Sequence, residues 1–291
     1  MRQLIVVADD FGASPAVNAA VVLAHRRGVL TTASLMVNEV AFDEAVALAR
    51  ETPTLAVGLH LALSLSRATL PAARIPHLVD DQGRFPDSSA WAGLRYHFSS
   101  TVRGELEAEI RAQLERFRAT GLRLDHVTGH QHIHMHPRVL AILLACASDY
   151  RIPALRLVRD DLGRNLRLDR HRLAYKLSHW AMFGGLARHA AQRVQGAGLC
   201  VADRVWGLYQ DGRMTCAHLQ ALLHDLPEGV TEIYAHPSTA AGQDPRRRPI
   251  DELAALLHPA VQEAIRARGI TLTTYARLAG AGDRDRYAAR A

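Results

Sequence analysis

Short apolar runs alternate with amphipathic helical segments along the chain, and this alternation restricts the fold more than any other feature. Residues 4–7 read as a buried strand, and residues 15–27 as a helix with Val17, Val21 and Ala24 on one side, Ser14 as cap and Pro15 in its first turn. The spacing predicts strands at 32–37, 55–61, 124–128, 154–158, 205–208, 231–235 and 270–274. It predicts helices at 41–50, 101–120, 137–150, 170–195, 216–225 and 250–268. Residues 66–100, punctuated by Pro71, Pro76, Gly83 and Pro86, read as a long irregular excursion of the kind that covers a binding site. Strands alternating with helices imply a mostly parallel sheet. Polar residues recur where strands end: Asp9 and Asp10, His60, His130, Arg156 and Arg159, and His236. A (β/α) barrel brings side chains from several strands together at that end, whereas an open sheet spreads them along a line. The expectation is an α/β barrel with its active site at the C-terminal ends of the strands. One domain would span residues 1–278, with a tail at 279–291 that lacks a core pattern.

With 291 residues, 48% of them apolar, the chain can bury one large core. No apolar run has membrane-spanning length, and residues 1–8 are too short for a secretory apolar region before Asp9 and Asp10, so the expected location is cytoplasmic. Cys146, Cys200 and Cys216 have no paired spacing, which argues against both a disulfide framework and a structural zinc cluster. The net charge of +6 comes from arginines scattered along helix faces with little aromatic interleaving, which supports no nucleic-acid partner. Lys176, the single lysine, falls inside a helical stretch and suits neither a Schiff base nor a phosphate loop.

Between Asp125 and Pro137, histidines stand at every second position, His130, His132, His134 and His136. On an extended backbone they would share one face and aim their ring nitrogens into one space, as a metal site requires. Joined by the aspartate pair, His60 and His236, they supply a carboxylate and two imidazoles. That set suits zinc or cobalt better than calcium, and leaves a second carboxylate free as a general base. Residue pattern alone separates neither Asp9 from Asp10 nor His130 from His132. Each group alone has a plainer reading, as helix-terminal charge, core histidine or loop residue; recurrence at strand ends carries the argument. His25, His77, His97, His171, His179, His189, His218, His224 and His258 lack that position and read as surface or packing residues. His132 and His134 are candidates for orienting substrate. Arg156 and Arg159 could bond sugar hydroxyls or form solvent-facing salt bridges, and Asp203 and Trp206 could form a sugar-binding edge or simply pack. The 170–195 helix, with Leu173, Leu177, Trp180 and Ala181 on one side and basic residues on others, fits either an interfacial helix or one packed on the barrel with a basic outer face. The 246–248 arginine run reads as solvated.

Ala8-Asp-Asp-Phe-Gly12, Thr32-Ala-Ser-Leu-Met-Val37, Gly58-Leu-His-Leu61, His130-Gln-His-Ile-His134 and Tyr234-Ala-His-Pro237 resemble the motif series of the YdjC/ChbG-like carbohydrate deacetylases, over nearly the whole chain. Residues 75–85, 106–124 and the Asp125-His-Val run are most similar to the hopanoid-biosynthesis-associated branch. The resemblance implies a distorted, TIM-like (β/α) barrel that removes acetyl from an N-acetylated sugar with one divalent metal ion, zinc first, with cobalt or magnesium compatible. It assigns Asp10, His60 and His130 as metal ligands, Asp9 as general base and His236 as general acid. The implied substrate is an N-acetylglucosaminyl group on a hopanoid lipid, which adds peripheral contact with the inner membrane surface to the expectation. One departure stands out. Many relatives carry Asp-Ser before the first histidine of the cluster, where this chain has Thr128-Gly129, so a carboxylate that would orient a ligand histidine is missing. Rival readings are hydrolysis of a phosphoester or cyclic amide, deacetylation of a soluble oligosaccharide such as chitobiose, or a non-catalytic glycolipid carrier.

Overall fold

The computed structural model describes residues 1–280 apart from 243, 245 and 246; the expected 279–291 tail lies almost wholly outside them. Its elements run β1 (Arg2–Phe11), α1 (Pro15–Arg27), β2 (Thr32–Leu35), α2 (Phe42–Arg50), β3 (Ala56–Leu61), α3 (Ser89–Phe98), α4 (Val102–Ala119), β4 (Leu124–Gly129), α5 (Pro137–Cys146), α6 (Leu162–Leu168), α7 (Leu173–Gly196), β5 (Arg204–Trp206), α8 (Cys216–His224), β6 (Gly229–Ala235), α9 (Pro249–Leu257), α10 (Pro259–Ala267) and β7 (Thr271–Leu272). The strands pair in the order β4-β3-β2-β1-β6-β5, every pair parallel, so helices must cover the outer face and the strands read as nearly unbroken apolar runs. β1 is the axis of this arrangement. One edge pairs with β6 from Arg2 to Ala8, while the other meets β7 at Gln3 and Leu4 and β2 at Val7 and Ala8.

The parallel sheet curls into a half-barrel. Between β4 and β5 the expected strand at 154–158 is reduced to single bridges, Val127 with Leu155 and Ala154 with Cys200. The segment keeps the hydrogen bonds Arg156 N to Val127 O (3.0 Å) and Leu155 N to Cys200 O (3.1 Å), but each partner offers only one bridge, too few for a ladder. Local signals fix the helix ends. Ser14 accepts from Val17 N at 3.3 Å with Pro15 in the first turn, as the spacing requires. The expected 250–268 helix is broken in two because Pro259 has no N–H; His258 ends α9 and caps α10, accepting from Ala260 N at 3.1 Å. The 66–100 excursion contains α3, which its pattern hides. Trp91, Leu94 and Phe98 point to solvent while only Ala92 and Tyr96 are buried, so no apolar stripe marks the core side.

Close packing inside the half-barrel depends on Gly58 in β3. A Cβ there would meet the carbonyl oxygen and ring of His126 at 2.5 Å. Overpacking of this kind costs about 1–3 kcal/mol. Gly58→Ala is therefore expected to lower stability by that amount, read as a lower melting temperature.

Candidate metal and catalytic site

Asp9 and Asp10 are adjacent on β1, where alternation would aim them to opposite faces. The register against β2 shifts between Ala8 and Phe11, and Asp10 takes a left-handed φ of 64°, so the strand bulges and re-aims its end. Gly12 follows at φ +94° beneath the carbonyl of Met36, and Asn18 fastens the turn by accepting from Gly12 N at 2.8 Å and donating to Ala41 O at 3.0 Å. Asp10 then faces two imidazoles. Its Oδ1 lies 3.0 Å from His130 Nδ1 and 3.3 Å from His60 Nε2, and one ligand atom from each of the three groups lies within 4.8 Å of the others.

This trio fits a divalent ion on chemical grounds. His60 Nδ1 lies 2.7 Å from Thr128 Oγ1, whose hydroxyl can donate onward to Leu59 O at 3.4 Å. With Nδ1–H donating to Thr128, His60 presents the Nε2 lone pair toward the Asp10 carboxylate, an arrangement of facing acceptors that a cation resolves. Burial would raise the Asp10 carboxyl, but the charge and hydrogen bond of His130 hold it well below the ordinary carboxylate range. Thr128 thus serves His60.

The histidine run is not extended. β4 stops at Gly129, and residues 130–135 form a 3-10 turn in which Gln131 and His132 have φ of 52° and 56°. The rings therefore diverge, correcting the expectation of a shared face. His130 meets Asp10, while His132 Nε2 lies 3.0 Å from the Tyr234 hydroxyl. His134 Nε2 lies 2.9 Å from Arg156 O, and His136 accepts from Arg138 N at 3.3 Å to begin α5. Burial and then Arg156 depress the pKa of both His132 and His134, the latter to about 3, so both rings are neutral near neutral pH.

Arg156 is fully buried and turned inward, not toward sugar or solvent. Its Nη1 and Nη2 donate to Asp9 at 2.6 and 2.9 Å and its Nε donates to Glu232 at 2.6 Å. Burial alone would raise the Asp9 carboxyl; the charge of Arg156, then that of His60, and the Arg156 hydrogen bonds hold it far below the usual range. His236 follows β6 and lines the cleft above the trio. Its backbone N donates to Glu252 Oε2 at 2.6 Å, its Nδ1 lies 4.0 Å from the same oxygen, and Glu252 is 1% exposed.

The cleft, with about 550 Å³ of empty space including its open mouth, is lined by Asp9, His60, His130, His132 and His236 from the sequence-derived set. Asp203 and Trp206 lie away from it. Asp203 immediately precedes β5, accepting from Val230 N at 2.8 Å, and Trp206 is 2% exposed with Arg164 stacked 4.8 Å over its ring. Neither forms a sugar edge, because parallel strands carry Asp203 away from the site and Trp206 packs behind the wall. Tyr175, Phe183, Tyr234 and Asp211 also line the cleft, as do His179, which reads in sequence as a surface or packing residue, and Arg247 of the run that reads as solvated. Three of them sit at positions i, i+4 and i+8 of α7, a stripe that the sequence displays but that also suits simple packing.

Residues 3–267 match the family described as YdjC-like protein. The chain belongs to the YdjC-like family. A carbohydrate deacetylase of Geobacillus stearothermophilus is 33% identical over 94% of this chain and 97% of its own. A carbohydrate deacetylase of Brevibacillus brevis is 48% identical, over 52% of this chain and 58% of its own length. A chitooligosaccharide deacetylase of Yersinia pestis is 29% identical over 94% and 98% of the two chains. A solved Enterococcus faecalis structure, named for cellobiose-phosphate cleavage, superposes with a TM-score of 0.72 at 29% identity, covering 95% of this chain and 98% of that one.

Two outcomes follow for the YdjC-like site. Thr128→Val removes the hydroxyl that orients His60 and is expected to weaken zinc binding about 10- to 100-fold by calorimetry. Arg156→Gln leaves Asp9 and Glu232 without their buried partner and should cost about 3–5 kcal/mol in denaturant unfolding at neutral pH. The depressed Asp9 pKa contributes stability above its unfolded value of about 3.9 and loses it as pH falls toward the folded value. The gap between variant and wild type should therefore narrow in acid.

Proposed function

We propose that this YdjC-like chain is a metal-dependent N-deacetylase of an N-acetylglucosaminyl group carried on a glycolipid, with a hopanoid as the lipid. The observation that carries the reaction is the set of Asp9, held ionised, beside the Asp10, His60 and His130 trio in a cleft that His236 also lines. The three ligand groups would hold one divalent ion, zinc by their donor set. Such an ion, when bound, supplies Lewis-acid polarisation of the acetyl carbonyl and acidifies water.

The chain's own residues perform the proton transfers. Asp9 accepts a proton from the attacking water. Pairing with Arg156 keeps it in the anionic form that a base requires, at some cost in basicity. His236 donates a proton to the departing nitrogen, because an amide nitrogen leaves poorly as an anion. Its backbone is fixed by Glu252, which places the ring at the cleft wall.

Two features support a lipid-bearing substrate. The motifs at 75–85, 106–124 and 125–127 resemble the hopanoid-associated branch. On α3 and α7, whose Ser89 and Met182 line the cleft, Trp91, Leu94 and Phe98, and Leu173, Leu177, Trp180 and Met182, are all between 46% and 78% exposed. α7 carries no acidic residue, which suits an anionic bilayer surface. Among the described residues no helix is long and apolar enough to cross a membrane. The names of the Yersinia and Geobacillus relatives support a soluble oligosaccharide such as chitobiose as the alternative substrate.

The deciding measurement is acetate release by metal-loaded protein from an N-acetylglucosaminyl hopanoid and from chitobiose. Asp9→Asn and His236→Ala are each expected to lower the rate about 10²- to 10⁴-fold. Absence of acetate from both substrates with a filled metal site would sink the proposal, and faster release from chitobiose would move the substrate to soluble sugars.

A further inference from the structure

Two loops that the proton-transfer chemistry does not use meet at the cleft. Asp211, after β5, and Arg247, after β6, both line it, and Arg247 Nη2 donates to Asp211 Oδ1 at 3.0 Å. The side chains are 24% exposed for Arg247 and 30% for Asp211, so the pair is mostly shielded yet open toward the cleft. The arginine run that reads as solvated in sequence therefore sends this member inward. Its placement is built by Gly212, which has φ +72° and lies so close that a Cβ there would meet Arg247 Cγ at 2.5 Å. The backbone closes the clasp, with Arg248 N donating to Gly212 O at 2.7 Å and Arg247 N to Asp244 O at 3.0 Å.

An apolar wall also lines the same cleft. Tyr175 and His179 lie 3.7 Å apart, centroid to centroid, and His179 and Phe183 lie 5.9 Å apart, with Met182 beside them. Phe183 continues to His132 at 5.3 Å, and His132 to Tyr234 at 5.3 Å, so ring edges run from the α7 side down to the floor. Tyr175 is pinned by its hydroxyl, which donates to Leu208 O at 3.3 Å. The cleft thus combines a fixed apolar wall with a carboxylate and a guanidinium side by side. A pyranose presents that same combination, a face of C–H groups and neighbouring hydroxyls that each donate and accept. A carboxylate can accept from one hydroxyl while a planar guanidinium donates to the next.

We propose that the Asp211 and Arg247 pair holds adjacent hydroxyls of the N-acetylated pyranose against the α7 wall, making it the specificity-determining contact of the cleft. This inference rests on the deacetylase reading. By fixing the sugar ring, the pair sets where the acetamido group falls relative to Asp9 and His236. It acts through position and takes no proton.

The test compares chitobiose with analogues that each lack one hydroxyl of the acetylated ring, using metal-loaded wild type, Arg247→Ala and Asp211→Asn. In wild type, loss of the hydroxyl held by the pair is expected to lower kcat/KM about tenfold, the equivalent of one hydrogen-bonding contact of about 1.4 kcal/mol. In either variant KM rises about tenfold on the full sugar, and that analogue's penalty disappears because its partner is already gone. Equal penalties in wild type and variants, or a fall in kcat with KM unmoved, would overturn the proposal. Arg247→Lys keeps the aliphatic stem over Gly212 and guards against simple unfolding; it should bind sugar more weakly than wild type with an unchanged melting temperature. If wild type releases no acetate from any N-acetylated sugar, the deacetylase reading fails. The pair is then judged by calorimetric binding of the de-acetylated disaccharide to metal-free protein, where tenfold weaker binding in the variants supports it and equal or absent binding removes it.

Discussion

The half-barrel is held around one buried guanidinium. Arg156 projects from the bridging segment between β4 and β5, where the sheet has no ladder, and reaches Asp9 on β1 and Glu232 on β6. Taking three charges out of water is costly unless every group finds partners. Here both Asp9 oxygens and Glu232 Oε1 receive guanidinium hydrogen bonds, Glu232 Oε2 receives the Tyr275 hydroxyl, and the Tyr234 ring lies 4.5 Å beneath Arg156 Cζ. A stretch where strand pairing thins to single bridges is thereby reinforced by charge. The same group also fixes the orientation and ionisation of Asp9, the carboxylate proposed as base, so the fold and the proposed chemistry share one residue.

Around that centre the local backbone departs from regularity at the points where function asks for it. Asp10 on its bulge and the left-handed Gln131 and His132 are positions that side chains rarely adopt, at about 1–3 kcal/mol each. The cost turns a flat row of polar residues into a concave set. A regular β1 would have sent Asp10 away from Asp9, and a regular continuation of β4 would have lined the histidines along one face with only one place to go.

How far the sequence alone discloses this depends on the range of the interaction. The strand and helix pattern is local, so α1 is legible to the residue and β1, β3, β4 and β6 are legible in place. The trio of Asp10, His60 and His130 is legible from recurrence at strand ends together with family resemblance. Arg156 was visible as a polar residue near a strand end, but its inward turn depends on Asp9 and Glu232, 147 and 76 residues away in the chain. Asp203 and Trp206 looked suitable by type and lie elsewhere, because which end of a parallel strand faces the cleft is a property of the assembled sheet. α3 is hidden in the pattern because its large apolar residues face outward. Glu252 and Asp211 carry no motif and Arg247 belongs to a run that reads as solvated, so only the meeting of α9 with separate loops gives them meaning.

The turn at 130–135 has an implication for how this chain can change over time. Loops usually absorb insertions and deletions, since little depends on their exact length. This one apportions successive histidines among the Asp10 carboxylate, a tyrosine, a backbone carbonyl and a helix cap, all within seven residues of chain. Adding or removing a single residue would pass each ring to its neighbour's task. The segment should accept exchange of Gln131, which serves none of these tasks, far more readily than any alteration in length, and lineages of such proteins should keep its spacing fixed while the excursion between β3 and α4 varies.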